Sequence, residues 1–365
     1  MAVASRLLAA GHGVLLLDAL TPQIHGDIPC LQPPQGAEVL RLDVRELPRR
    51  FDLLEGADAV CHFAAETGTG QSMHKIVHYV DVNDGGTAAV LESIANCSRR
   101  PKRLILSSSR SVYGEGAYRD TAAGNQMVQP PARSAAQLAA GRWDHCNLND
   151  EPLVSVACPE SMQPSPGSVY AATKVAQEML VVAAAGPLGL MATILRFQNV
   201  YGEGQSLRNP YTGIISIFFN RARQGMPISV YEDGRESRDF VHVSDVVRAV
   251  EQALEADLPP NTILNVGSGV ATSVQSLAER LLQVAALQVP IEVTRQYRVG
   301  DIRHCYADLE SIRRLLGWAP TTPLEQGLQR FCAWARDQPV HVDRLDAATA
   351  ELRHHGLTST SEPTP

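Results

Sequence analysis

The sequence predicts an α/β fold, a doubly wound parallel sheet with a smaller C-terminal lobe. Two observations carry that expectation. Apolar runs of strand length recur through residues 13–195, and helix-forming stretches lie between them. That alternation buries a parallel sheet on both faces.

Taken in order, Ala2–Ala10 is helix-prone and Gly11 suits its C-terminal cap. Gly13–Leu17 is a continuous apolar run closed by Asp18, as a buried parallel strand would be. Further strand-like runs are Glu38–Leu42 before Asp43, Ala59–Phe63, Arg103–Leu106 leading into Ser107-Ser108-Ser109, and Met191–Leu195. Asp84–Asn96 and Ala171–Ala185 read as helices. From 115 to 166 the chain is rich in Pro, Ala, Gly, Asn and Gln without periodicity, which predicts a long surface excursion. After Leu357 the tail TSTSEPTP has nothing apolar to bury and is expected to be disordered.

Composition narrows the function. With 32 basic and 39 acidic residues the net charge is −7, the wrong sign for a general nucleic-acid binder. No apolar run reaches the roughly 18–20 residues that span a bilayer. Gly11-His12-Gly13 interrupts the N-terminal run and Asp18 closes it, so it does not read as an export signal. The seven cysteines (30, 61, 97, 146, 158, 305 and 332) are scattered and lack a C-x-x-C pair. A reducing cytoplasm and no metal site are therefore expected.

Asp18 has the setting of the acidic residue that holds a ribose in dinucleotide folds. Such a residue follows the first glycine of a Gly-rich turn by about 20 positions. Counting back from Asp18 runs off the sequence. The expectation is that the first strand and its phosphate-binding glycines are missing, about 10–20 residues on that spacing.

Tyr170 and Lys174 lie four apart on a predicted helix, which places phenol and ammonium on one face. A nearby cation favours the phenolate and lowers the tyrosine pKa. Such a group can take a proton from a sugar hydroxyl while hydride leaves the same carbon. Ser109, at the end of a strand, is the third candidate partner.

Motifs now span nearly the whole chain: Asp18, Asp43-Val44, His62-Phe63-Ala64-Ala65, Asn83, SSSRSVYG (107–114), Tyr170/Lys174, RFQNVYG (196–202), SRDFVHVSDVV (237–247), NVGSG (265–269) and RVGDIRHCYAD (298–308). In that order they resemble the extended short-chain dehydrogenase/reductases of the nucleotide-sugar epimerase/dehydratase group. The resemblance implies a Rossmann domain over 1–202, and an interleaved substrate lobe over 203–340 from which 240–265 returns to the large domain. Residues 341–365 form a tail. It implies NAD as cofactor, with Asp18 on the adenosine ribose, Asp43 and Val44 flanking adenine, Ala64 and Ala65 along the cofactor, and Tyr170 and Lys174 at the nicotinamide end. Ser109, Tyr170 and Lys174 would be catalytic. Asn199, Arg238 and Arg298 would hold the nucleotide sugar, with Arg303 less secure, and a homodimer would be usual. His62 and His242 read as structural, and Trp318 and Trp334 as packing the C-terminal lobe.

Dehydratases of this group carry Thr-Asp-Glu where this chain has Ser109-Arg110-Ser111, and the decarboxylases use Glu at the position of Ser111. An epimerase needs neither acid. The segments AAETGTGQSM (64–73) and SLRNPYTGIISIFFNR (206–221) most resemble the dTDP-L-rhamnose 4-epimerases, which interconvert dTDP-L-rhamnose and dTDP-6-deoxy-L-talose. Glu66, Thr67 and Gln71 would then face the hexose. The alternatives are a UDP-glucose/UDP-galactose 4-epimerase or another sugar-nucleotide oxidoreductase, and, of another class, a non-catalytic sugar-nucleotide-binding protein that lacks the glycine loop.

Overall fold

The structure, a computed structural model, describes residues 1–26 and 33–361. Cys30 and the last four residues of the tail lie outside the described residues. In chain order the principal elements are α1 (Ala2–Ala9), β1 (Leu15–Asp18), β2 (Glu38–Arg41), β3 (Ala59–His62), α2 (Gly86–Asn96), β4 (Arg103–Ser109), α3 (Val169–Leu188), β5 (Met191–Phe197), α4 (Val243–Glu255) and β6 (Thr262–Val266). The main sheet is all parallel in the order β6-β5-β4-β3. β1 and β2 form a separate parallel pair, and among the described residues no ladder joins β1 to β3.

The sheet is covered on both faces, as its unbroken apolar strands require. Leu104 and Leu106 of β4 pack with Val90, Ile94 and Val181. Ile105, between them, points the other way, into a cluster with Val246, Val250, Leu264 and Trp318. Each such fully buried side chain stabilises the fold by about 1.5–3 kcal/mol. Trp318 was expected in the C-terminal lobe, but it seals this sheet face, its indole N–H donating to the Asp245 carbonyl at 3.1 Å. The lobe has its own core, around Phe218, Phe219, Leu277, Leu281, Leu328 and Phe331, with Trp334 packed against it.

α3 begins where Ser168 caps it, its hydroxyl accepting from the Ala171 N–H at 3.2 Å. It ends at Gly189, whose φ of 69° is the left-handed conformation that glycine supplies without strain. These stops set Tyr170 in the helix's first turn. Asn199–Tyr201, just past β5, pairs in parallel with Phe240–His242, and β6 then forms an edge of the main sheet.

Two expectations are corrected. The stretch 115–166 is not a structureless excursion: Ala117–Asp120 pairs antiparallel with both Gln126–Val128 and Val154–Val156. Its polar composition hid strands of only three or four residues, held by the buried Tyr118, Arg133 and His145. The described part of the tail is not disordered either. Thr358–Thr360 pairs antiparallel with Gln296–Arg298, and the Thr358 hydroxyl donates to the Tyr297 carbonyl at 2.7 Å. A strand edge, rather than apolar burial, orders it.

Candidate active site

The carboxyl ends of β3, β4 and β5 open onto a cavity of about 490 Å³, within the range of small-molecule sites. Ser109 ends β4, and Tyr170 and Lys174 reach the same cavity from α3. The Tyr170 N–H donates to the Ser72 hydroxyl at 3.0 Å, which seats the helix start on the 69–72 turn. Lys174 lies with its ammonium 5.9 Å from the centre of the Tyr170 ring. The Ser109 hydroxyl accepts from the Ser111 hydroxyl at 3.0 Å, and it lines the cavity together with the Tyr170 phenol.

The electrostatics differ from the expectation in one respect. Burial raises the Tyr170 pKa, and the groups that pull it back are Ser109, by its hydrogen bond, and Arg110, by its charge. The lysine acts more by position than by field. Burial lowers the Lys174 pKa to about 8, against the opposing charges of Glu178 and Asp84.

Other site residues fall into two groups. Ala65, Thr67, Asn199, Arg238 and Arg298 line the cavity with the triplet. Gly68 lines it too, at φ +128°, where a Cβ would stand 3.1 Å from the Tyr79 hydroxyl oxygen. Glu66 and Gln71, expected against the hexose, are not in the wall. Glu66 turns to His78 at 3.2 Å, because Asn83 holds its backbone through both N–H and C=O. Gln71 is 2% exposed and is bonded to Gln23 and to the Tyr79 hydroxyl. Ala64 also lies outside this wall.

The adenosine-side residues stand apart from the cavity. Asp18 ends β1 with about half of its side chain open, one oxygen accepting from the Leu20 N–H at 2.7 Å. Asp43 caps the short helix Val44–Arg49, and Arg45 grips both its oxygens, at 2.9 and 2.6 Å. Val44 packs on Gly86, where a Cβ would meet it at 2.7 Å.

His62 and His242 hold structural positions. Burial lowers the His62 pKa to about 3 and its ring bonds Thr87 at 2.9 Å. His242 caps α4 through Ser244. Arg303 is fully engaged in ion pairs with Asp144, Glu232 and Asp233. That engagement also neutralises Glu232 and Asp233, which approach Glu236 within metal-ligating distance.

The sequence reading missed Arg110, Glu236 and Asp301, all in the cavity wall. Arg110 was visible in SSSRSVYG but was read as the loss of an acid. Asp301 lies in the motif that holds Arg298, and Glu236 stands one residue before the motif that holds Arg238, so nearness in sequence was the available signal.

Among known proteins, the model of the NAD dependent epimerase/dehydratase family matches residues 1–138 and 151–267. The chain belongs to that family: it is an NAD-dependent epimerase-class enzyme with a Rossmann-type α/β fold. It is 36% identical to a dTDP-L-rhamnose 4-epimerase of Burkholderia thailandensis over 91% of each chain. A UDP-glucose 4-epimerase of Streptomyces lividans is 28% identical over 87% of each. Among solved structures, the UDP-glucose 4-epimerase of Thermotoga maritima with UDP-glucose superposes with a TM-score of 0.73 at 26% identity, covering 92% of this chain and 94% of that one. MoeE5 in complex with UDP-glucuronic acid and NAD gives 0.73 at 27%, covering 92% and 94%.

The residues present fit NAD at the nicotinamide end. Lys174 is a buried ammonium with three donors, of which it spends one on the Ser107 carbonyl at 3.0 Å. Unspent donors beside Tyr170 suit the hydroxyls of a ribose.

Proposed function

We propose that the protein is a nucleotide-sugar 4-epimerase that interconverts dTDP-L-rhamnose and dTDP-6-deoxy-L-talose. The observation that carries the reading is one cavity holding Ser109, Tyr170 and Lys174 together with Arg110, Arg238 and Arg298. A proton-transfer triplet and a guanidinium wall are what a sugar alcohol linked to a pyrophosphate calls for. The two positions after Ser109 carry Arg110 and Ser111, neither of which can supply the acid for loss of water.

In this reading Tyr170 takes the C4 hydroxyl proton and later returns it, and Ser109 holds the same oxygen in line. Lys174 fixes the geometry and holds the ribose hydroxyls, Asp18 holds the adenosine ribose, and Asp43 and Val44 shape its edge. Ala64 and Ala65 border the cofactor. Thr67 faces the hexose, with Glu66 and Gln71 supporting that wall from behind. Asn199, Arg238 and Arg298 anchor the nucleotide. Bound NAD supplies the hydride acceptor and donor.

A second copy of the chain suits the exposed apolar face shared by helix Ile76–Val80 and α3, where Val77 is 81% and Met179 67% exposed. Among the described residues no helix is long and apolar enough to cross a membrane.

The test offers dTDP-L-rhamnose and UDP-glucose to the NAD-loaded protein and follows the product by NMR. The reading expects 6-deoxytalose from the first. UDP-galactose from the second alone would replace it with the UDP-hexose reading, and no turnover of either, with no NAD retained, with the non-catalytic one.

A further inference from the structure

Away from the Tyr170–Lys174 end, the charged side chains of the cavity are Arg110, Arg238, Arg298, Asp301 and Glu236. Arg238 spends its donors on the Ser237 and Arg303 carbonyls, at 2.8 and 3.1 Å, and on Asp301 at 2.9 Å. Arg298 lies over the Tyr231 ring at 4.6 Å, and its buried Nε–H has no partner among the described residues. Arg110 starts the turn after Ser109 and donates from Nε to the Asn199 side-chain oxygen at 2.7 Å. Its Nη1 is buried and has no partner among the described residues.

The contacts of Arg110 and Arg298 are not those of structural arginines. Arg303 shows what such a residue does here, with its guanidinium nitrogens placed on carboxylates. On Arg110, by contrast, the charge that acts most is that of another cation, Arg238, with Cys305 and Asp301 opposing it. Holding two guanidiniums together in a buried cavity is costly unless an anion belongs between them. Asp301 is the one carboxylate they share; burial pushes its pKa up, but Arg238, Arg298 and Arg110 hold it below the usual range. Burial keeps Glu236 largely neutral, with a pKa raised to about 8. Three guanidiniums against one carboxylate leave an excess of two positive charges. A pyrophosphate diester, with one negative charge on each phosphoryl group, matches that excess.

The location of Arg110 within the wall narrows its target. Arg110 follows Ser109 directly in the chain, which sets it near the reacting end, and its charge acts on both the Tyr170 phenol and Arg238.

We propose that Arg110 is a third pyrophosphate ligand, its guanidinium donating to the phosphoryl group nearest the hexose and, through Asn199, fixing the sugar's anchor point beside Tyr170. The proposal rests on the nucleotide-sugar reading above. It makes the cation at position 110 a binding residue in place of the acid that dehydratases carry there.

The experiment is calorimetric titration of the NAD-loaded wild type, Arg110→Gln and Arg110→Lys with dTDP and dTMP, alongside melting curves. A charge-assisted hydrogen bond lost from the second phosphoryl group weakens dTDP by about 10- to 100-fold in Arg110→Gln. Binding of dTMP, which lacks that group, stays unchanged. Arg110→Lys retains the charge but not the planar fork, and recovers part of the dTDP affinity. Should Arg110→Gln melt below the assay temperature, the same contrast is read from Arg110→Lys, which weakens dTDP and not dTMP. If the variants bind dTDP as tightly as wild type, or lose dTDP and dTMP equally, Arg110 is not a pyrophosphate ligand. A fall in kcat alone, with dTDP affinity intact, overturns the proposal too and places the guanidinium on the hexose. UDP and UMP are titrated in parallel. Wild type that prefers UDP moves the contrast to that pair, with the dTDP assignment failing and the Arg110 inference still under test. Wild type that binds neither diphosphate removes the nucleotide-sugar reading and the inference with it.

Discussion

The Lys174 ammonium donates to the Ser107 carbonyl at 3.0 Å, two residues before Ser109. One hydrogen bond thus ties the helix that carries Tyr170 to the strand that presents its serine partner. A turn further along α3, Glu178 repeats the tie. Its oxygens accept from Arg196 of β5 at 2.9 and 2.7 Å and from the Ser108 hydroxyl. The triplet is held by contacts on both sides, which is what fixed geometry for proton transfer demands.

Removing Glu178 tests that support. Glu178→Ala strands a buried Arg196 guanidinium, and breaking such a pair costs about 3–5 kcal/mol. Denaturant unfolding of the variant reports that loss as a lower midpoint. A midpoint equal to wild type shows that the pair does not hold the helix.

Glu236 gives the site a pH dependence. Burial raises its pKa to about 8, with Arg238 opposing and Glu232 and Asp301 reinforcing. Below that pH the carboxyl is neutral; above it a negative charge faces the pyrophosphate. Affinity for dTDP therefore falls as pH rises through about 8. In Glu236→Gln the fall shrinks to the part that Lys174, with its pKa lowered to about 8, contributes. Titrations from neutral pH upward read both curves, and a variant that tracks wild type removes Glu236 from the account.

Arg303 anchors the 115–166 sheet to the lobe. Its buried guanidinium pairs with Asp144 at 2.8 Å, Glu232 at 3.0 Å and Asp233 at 2.6 Å. Arg303→Met takes that cation from Asp144 and Asp233, while Glu232 keeps Arg133 at 2.9 Å, and it lowers the unfolding midpoint. Amide exchange should rise first in 117–156. Unchanged protection there contradicts the anchoring role.

How far the sequence could be read follows from where its signals live. Period and punctuation placed β4, β5 and α3 within a few residues, because buried strands and capped helices write themselves locally. Spacing of four put Tyr170 and Lys174 on one face. The antiparallel sheet in 115–166 was illegible, since strands of three or four residues carry no period and the segment is held from outside, by Arg133 reaching Glu232 at 2.9 Å. The tail strand at Thr358 was missed for a similar reason: its partner edge lies about sixty residues away in sequence. Which wall residues face inward was the hardest to foresee. Gln71 and Arg110 both stand in motifs, and only tertiary packing turns one onto Gln23 and Tyr79 and the other into the cavity.

The most direct test is turnover of dTDP-L-rhamnose by NAD-loaded Tyr170→Phe. Losing the proton acceptor should cut kcat by about 10²–10⁴-fold. Bound NAD and dTDP affinity should remain at wild-type levels. Turnover close to wild type in that preparation would contradict the account.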